Sequence, residues 1–190
     1  MAKNKPRIAV IVGSNRKDSI NRKLAQALIA LGRDRFDAEI LRIDDFPIYN
    51  QDDEQNAPDT VKRFKAAVAA ADGLLFVTAE HSRSIPAVLK NAIDWGARPW
   101  GQNGWTGKVA AVTGTSGGVI STALAQQHLR QILGAQGVTL VGGEAYVQFK
   151  PEMLGADGEF VDDATRKFLG DFLDRLVALA GRAAGKAAAA

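Results

Sequence analysis

The chain alternates short, uninterrupted apolar segments with longer stretches of helical periodicity, and this alternation limits the folds that it can adopt. The five apolar segments lie near Arg7–Val12, Ala38–Ile43, Leu74–Thr78, Val109–Thr113 and Thr139–Val141. Several of them are continuous apolar runs that do not alternate with polar residues, which is typical of strands buried on both faces. Strands that alternate with helices form right-handed crossovers, so the pattern predicts a parallel sheet with helices on both faces.

Five apolar stripes at helical spacing separate and follow these segments. They comprise Leu24, Ala27, Leu28 and Leu31; Val61, Phe64, Val68 and Ala71; Val88, Leu89, Ala92 and Ile93; Leu124, His128, Ile132 and Leu133; and Phe168, Leu169, Phe172, Leu173 and Leu176. The pattern fits a flavodoxin-like three-layer α/β/α sandwich, whose five-stranded parallel sheet has the order 2-1-3-4-5 and binds ligands beyond the carboxyl ends of its strands. We expect a single domain over residues 1–182 and a low-complexity tail at 183–190.

The composition excludes several classes of function. The chain has no cysteine and only two histidines, so we expect neither thiol redox chemistry nor a histidine-rich metal site. Its net charge of +3 includes no long run of lysine and arginine, so we expect no nucleic-acid partner. No signal peptide and no segment of membrane-spanning length is visible, which predicts a cytoplasmic protein without a membrane partner.

The loop after the first predicted strand has the features of a phosphate site. Gly13 is followed by a polar stretch in which Ser14, Arg16, Ser19 and Asn21 can donate hydrogen bonds. The loop opens a helix, whose first N–H groups and positive dipole end attract anions. It lacks the spacing of a dinucleotide fingerprint or a P-loop, which favours a phosphomonoester such as that of FMN. Alternatively, Ser19 and Asn21 only cap the helix and the cations are solvated.

The loop after the third predicted strand is polar and leads into a helix that begins near Pro86. His81 can stack on a planar ligand or hydrogen-bond to it, although it also fits a half-exposed loop residue. Ser82 and Ser84 can reach polar atoms of such a ligand. Arg83 is in a position to meet an incoming anion. The loop is therefore a second candidate binding segment.

The loop after the fourth predicted strand reads Gly114-Thr115-Ser116-Gly117-Gly118. Small residues let the backbone approach a flat ligand, and successive N–H groups can form an anion-binding nest. The same residues match the Gly-x-Ser-x-Gly elbow of serine hydrolases, with Ser116 as nucleophile. That alternative needs a downstream histidine, and His128 lies about three turns along the helix that the elbow would open. We therefore expect His128 to point away from Ser116.

Together the three loops resemble the NADPH-dependent FMN reductase family, which includes bacterial quinone and chromate reductases. The resemblance extends from about residue 7 to about residue 148. Its most specific parts are Gly13–Leu24, Ser84–Pro86, Leu89–Trp95 and Gln127–Arg130.

The resemblance implies a non-covalent FMN site, with the phosphate on the first loop and the isoalloxazine ring against the other two. The implied FMN contacts are Ser14, Arg16, Ser19, Ile20, Asn21, Ala79, Glu80, His81, Ser82, Ser84, Thr115, Ser116, Gly117 and Gly118. Arg83 and His81 are the residues implied on the side of the substrate or NADPH. Family members are typically dimers or tetramers with the flavin pocket near a subunit interface, so a homo-oligomer is also implied.

The resemblance further implies an enzyme in which hydride passes from NADPH or NADH to flavin N5, and then in a ping-pong cycle to a small-molecule acceptor. Quinones are the implied acceptors, with chromate, azo and nitro compounds as side substrates. No side chain is expected to act as a nucleophile. A flavodoxin-like electron carrier without its own NAD(P)H turnover is the alternative, although the net positive charge and Arg83 argue against it.

The sequence departs from the family in the second of these loops. The common Pro-Glu-Tyr-Asn is replaced by Ala79-Glu80-His81-Ser82. Loss of the proline removes a restraint on φ, and histidine in place of tyrosine replaces a phenol with an imidazole. These changes fall on the substrate side of the ring, so we expect them to affect the choice of electron acceptor more than FMN binding.

Overall fold

A computed structural model describes residues 5–187, and within this range a parallel sheet forms the centre of the protein. Its strands are β1 (Arg7–Gly13), β2 (Asp37–Leu41), β3 (Gly73–Thr78), β4 (Val109–Ser116), β5 (Thr139–Leu140) and β6 (Tyr146–Gln148). The order β2-β1-β3-β4-β5, with every neighbouring pair parallel, confirms the predicted flavodoxin-like topology. The three central strands are almost wholly buried because helices cover both of their faces.

Five α-helices form the outer layers. They are α1 (Ile20–Gly32), α2 (Asp59–Ala70), α3 (Ala87–Gly96), α4 (Ala123–Ala135) and α5 (Asp163–Ala187). One hydrophobic core lies between the sheet and α1 and α5, and a second lies between the sheet and α2, α3 and α4. The predicted three-layer architecture is thereby confirmed. Within residues 5–187 no helix is long and apolar enough to cross a membrane.

The sheet has six strands rather than the predicted five, because its edge beside β4 is built from two pieces. β5 pairs with the beginning of β4, and β6 pairs with its end. Between them, Arg130 of α4 donates to the carbonyl oxygens of Val141 and Gly143 at 3.0 and 2.6 Å, and Gln126 donates to that of Ala145 at 3.1 Å. Helix side chains therefore satisfy carbonyl groups that a continuous fifth strand would have paired with β4.

The predicted apolar stripe of α4 is displaced from the face that is buried. Ala125, Leu129 and Leu133 pack on the sheet, whereas Leu124 and His128 are exposed. The prediction was wrong for Leu124 and His128, because the small Ala125 beside Leu124 belongs to the buried core, whereas Leu133 is buried and Ile132 packs against the core as predicted. Hydrophobicity alone favoured the larger side chain.

The last helix differs from its prediction in two respects. Phe168, which the predicted stripe of α5 includes, is exposed, while the other four members of that stripe are buried. The predicted tail at 183–190 continues α5 as far as Ala187, and residues 188–190 lie outside the described range.

Candidate functional site

The carboxyl ends of β1, β3 and β4 meet at one edge of the sheet. Gly13 is paired with Thr78, and a Cβ atom added at Gly13 would lie 2.8 Å from Cδ2 of Leu89. A Cβ atom added at Gly114 would lie 2.0 Å from the carbonyl oxygen of Thr78. Both glycines are thus required for the close approach of the three strand ends. The loops that follow these strands therefore leave the sheet at the same edge.

The first loop, between β1 and α1, presents hydrogen-bond donors at a helix start. Ser19 is the N-cap of α1, and its Oγ accepts a hydrogen bond from the third helical N–H at 3.2 Å. Ser14 is half-buried and Arg16 is exposed. Ile20 and Asn21 open the helix, so their backbone N–H groups have no intrahelical acceptor, and no residue of the range 5–187 accepts from them. These amides and the nearby guanidinium group can together bind an anion.

Asn21 connects this first loop to β4. Its side chain is buried, with the residue only 2% exposed. Its Nδ2 donates to the carbonyl oxygen of Thr115 at 3.0 Å, and its Oδ1 accepts from the backbone N–H of Thr115 at 2.9 Å. The sequence suggested the phosphate as partner for this side chain. The structure gives it two backbone partners instead, so the backbone N–H of Asn21 is the group left for an anion.

The second loop, residues 79–84, contains a strained two-residue hairpin. His81 and Ser84 exchange two backbone hydrogen bonds of 2.9 Å. The central residues, Ser82 and Arg83, have φ values of 49° and 65°, in the left-handed region that favours glycine. Positive φ at both central positions is the signature of a type I′ turn, which normally takes Asn-Gly. A turn built from serine and arginine depends on contacts outside itself.

Helix α4 supplies such contacts at both ends of the second loop. One carboxylate oxygen of Glu80 accepts from the backbone N–H of Ala125 at 3.0 Å, and the other lies 3.2 Å from Nη1 of Arg83. Ser84 Oγ lies 2.7 Å from Nδ1 of His128. Sequence reasoning missed the two contacts with α4, because they join residues more than forty positions apart; only the family motif singled out Glu80.

The third loop, residues 115–118, has its hydroxyl groups occupied and its glycines open. Thr115 is buried, and its Oγ1 donates to a carbonyl oxygen of β6 at 2.6 Å. Ser116 Oγ donates to the carbonyl oxygen of Ser121 at 3.0 Å and accepts from the backbone N–H of Gly118 at 3.2 Å. A Cβ atom added at Gly117 would meet nothing within 4 Å. The open surface of the third loop is therefore at Gly117.

These contacts argue against the serine hydrolase alternative. The hydroxyl of Ser116 is bound to backbone groups of its own turn. His128, the downstream histidine, contacts Ser84 of the second loop. As expected, it does not serve Ser116 as a base. A nucleophilic serine needs a hydrogen-bonded base to activate it, and neither contact supplies one.

Two polar side chains of the α3 segment of the family motif bond to the chain between β2 and α2. Asn91 accepts from the backbone N–H of Tyr49 at 2.7 Å and donates to the carbonyl oxygen of Pro47 at 2.9 Å. Trp95 Nε1 donates to the same carbonyl at 2.9 Å. These hydrogen bonds hold the segment between β2 and α2 against α3. These two residues of the family motif therefore have a structural role.

The chemistry of this edge of the sheet fits FMN. The start of α1 offers two backbone amides, and Arg16 offers a cation, which suits a phosphate. A Cβ atom added at Gly117 would project into open space, and without it the backbone can approach the face of a ring. A donor-rich helix start and a flat, open glycine surface thus lie on loops joined directly by Asn21.

Comparison with known sequences identifies relatives over nearly the whole chain. Residues 6–152 match the family described as NADPH-dependent FMN reductase. A 2-hydroxy-1,4-benzoquinone reductase from a Burkholderia species is 44% identical over 173 residues, which cover 90% of this chain and 94% of that protein. A quinone reductase from Pseudomonas putida is 42% identical over 170 residues, which cover 88% of this chain and 91% of that protein. These matches confirm the family resemblance inferred from the three loops.

Solved structures agree with the sequence matches. FerB, a flavoenzyme NAD(P)H:(acceptor) oxidoreductase from Paracoccus denitrificans, is 45% identical and superposes with a TM-score of 0.90, covering 93% of this chain and 98% of that one. An NADH:FMN oxidoreductase, EMOB, is 24% identical with a TM-score of 0.68, covering 91% and 89%, and shows the likeness of fold alone.

Proposed function

Because the chain belongs to the NADPH-dependent FMN reductase family, we propose that it is an FMN-dependent oxidoreductase that uses NADPH or NADH to reduce quinones. The observation that carries the proposal is the convergence of the three loops, with a donor-rich helix start joined to an open glycine surface. Two relatives above 40% identity are quinone reductases by name, which supports a quinone as acceptor. Chromate, azo and nitro compounds are proposed side substrates.

We assign the chain three tasks toward FMN, which supplies the hydride-accepting chemistry when bound. Ser14, Arg16, the N-cap Ser19 and the backbone amides of Ile20 and Asn21 would hold the phosphate. The second loop, Ala79–Ser84, and the third loop, Thr115–Gly118, would lie against the ring. The backbone N–H of Gly117, close to the start of α4, would face an electron-rich edge of that ring.

Arg83 is the proposed contact for the nicotinamide substrate. Its guanidinium group is 66% exposed at the tip of the second loop. Arg83→Ala is expected to raise the KM for NADPH about tenfold, since a hydrogen bond to a charged group contributes about 1.5–3 kcal/mol. The FMN content of the purified Arg83→Ala variant should stay within about threefold of that of the parent protein. Arg182→Ala, at an exposed arginine of α5, is the control. Steady-state kinetics with an unchanged KM for NADPH would remove this role.

The test of the proposed function is an absorption spectrum of the purified protein with added FMN, recorded before and after anaerobic NADPH or NADH. We expect bound-flavin bands that survive dialysis and bleach when the nicotinamide is added. Quinone should then restore the bands. Flavin that binds but is not bleached by either nucleotide would favour an electron carrier, and no flavin binding would overturn the proposal.

We also propose that residues 1–182 act as one domain.

We further propose that the protein is a dimer or tetramer. Val119, Ile120 and Leu124 are exposed apolar residues beside the third loop, and Val119 is 86% exposed. Contiguous apolar residues beside a binding site are typical of a subunit interface. Sedimentation velocity is expected to give a mass of two or four chains. A monomer at micromolar concentration would contradict this.

A further inference from the structure

The second loop is fastened to a single face of α4. Glu80, near the start of the loop, bonds to the N–H of Ala125, and Ser84, at its end, bonds to His128. Ala125 and His128 are three residues apart and therefore lie on the same side of the helix. The strained turn between them projects from these two attachment points. Any ligand surface that the loop forms is thus set by its attachment to α4.

Of the two attachments to α4, that of Glu80 is the more buried. Its side chain is 7% exposed, and each carboxylate oxygen has its own donor, Ala125 N–H or Arg83. The N-cap residue of α4, Thr122, makes no side-chain capping bond. Glu80 therefore supplies from a distant loop the carboxylate that a helix start attracts.

The bond to Arg83 links the same carboxylate to the strained turn. Arg83 has φ of 65°, which an arginine adopts only when surrounding contacts hold it there. The pair joins residues three apart, across the turn itself. One carboxylate thus binds the helix on one side and the turn on the other. Without it, the remaining hydrogen bond between the second loop and α4 would be that of Ser84 with His128.

We propose that Glu80 is a positioning residue, which holds the second loop in the conformation that receives the flavin ring and does so without contacting the ring through its side chain. The inference rests on the proposed function. A loop that leaves its binding-competent conformation lowers the apparent affinity in proportion to the population lost. The side chain of Glu80 should therefore control FMN affinity through the order of the loop.

The test compares three variants. Glu80→Ala removes both bonds. Glu80→Gln keeps an oxygen that can accept from Ala125 N–H, but it loses both the charge and the hydrogen bond toward Arg83, since an amide NH2 cannot accept. Asp162→Ala is a matched control, because Asp162 Oδ2 accepts from Thr165 N–H at 2.6 Å at the start of α5 and so caps a helix in the same way, outside the three loops. Exchange of the Ala125 amide is measured by NMR on the flavin-free protein, and the FMN dissociation constant is measured by fluorescence.

Glu80→Ala is expected to speed exchange of the Ala125 amide and to raise the FMN dissociation constant about tenfold, the size of a lost helix cap. Glu80→Gln should stay within about threefold of the parent in both readouts. Asp162→Ala should leave both unchanged. If Glu80→Ala does not fold, Glu80→Asp, which is one methylene shorter, replaces it and is expected to show the same two changes.

Unchanged FMN affinity in a folded Glu80 variant whose Ala125 amide exchanges fast would overturn the proposal. Equal losses of FMN affinity in the Gln and Ala variants would also overturn it, because the Gln variant retains the bond to Ala125 N–H through which the loop is held to α4. These results differ from failure of the proposed function, in which the parent protein itself would bind no FMN.

Discussion

Replacing Asn21 with alanine is expected to lower the free energy of unfolding by about 2–5 kcal/mol, because it strands two buried backbone groups that each cost about 1–3 kcal/mol when unsatisfied. Both groups belong to Thr115, which is itself buried. The alanine side chain can neither donate nor accept, and Thr115 is only 1% exposed. Chemical denaturation monitored by tryptophan fluorescence measures the effect.

The same substitution is expected to weaken FMN binding, since Asn21 joins the phosphate loop to the loop proposed to face the ring. Asn50→Ala is the matched control. Like Asn21, Asn50 accepts a backbone hydrogen bond through its side chain, from the N–H of Asp52 at 3.2 Å at the start of a short helix, but it is exposed. Its loss should cost no more than about 1 kcal/mol and leave FMN binding unchanged. Equal losses of unfolding free energy in the Asn21→Ala and Asn50→Ala variants would contradict the interpretation that the buried hydrogen bonds of Asn21 stabilise the fold.

The elements with the plainest local pattern were predicted well. β1, β3 and β4 are buried on both faces, so burial left a continuous apolar signal, and their parallel order followed from the alternation with helices. The convergence of three loops at one edge of the sheet then followed from topology alone. β6 was missed because three residues, Tyr146–Gln148, carry too short a pattern, and the segment before it is held by a distant side chain, Arg130, which donates to Val141 and Gly143.

The roles of individual side chains were harder to predict than their location. Asn21 and Glu80 stand in polar loops where a ligand is the simplest partner that a sequence suggests. Their actual partners are backbone amides of Thr115 and Ala125, on elements whose proximity appears only in the fold. A residue type that can bind a ligand can equally fasten a loop, and spacing along the chain does not distinguish the two roles.

A pair of glycine substitutions separates packing of the site from contact with the flavin. Gly114→Ala is expected to lower the free energy of unfolding by about 3 kcal/mol or more, because overpacking is costly where the neighbours cannot move. The new Cβ would lie 2.0 Å from the carbonyl oxygen of Thr78 and 2.6 Å from Oγ1 of Thr122. The first contact is with the backbone of a central strand, so β3 and β4 would have to separate at their carboxyl ends. Thermal or chemical denaturation measures the loss.

Gly117→Ala is the matched counterpart three residues along the chain. Its Cβ would meet nothing within 4 Å, so the free energy of unfolding should change by less than about 1 kcal/mol. If the flavin ring lies against this residue, the methyl group occupies its space, and the FMN dissociation constant should rise about tenfold or more, in line with an overpacking cost of about 1–3 kcal/mol. A stable Gly117→Ala protein that binds FMN as tightly as the parent would place the ring elsewhere on the edge, while a destabilised one would mean that the space beside Gly117 is already filled by the protein.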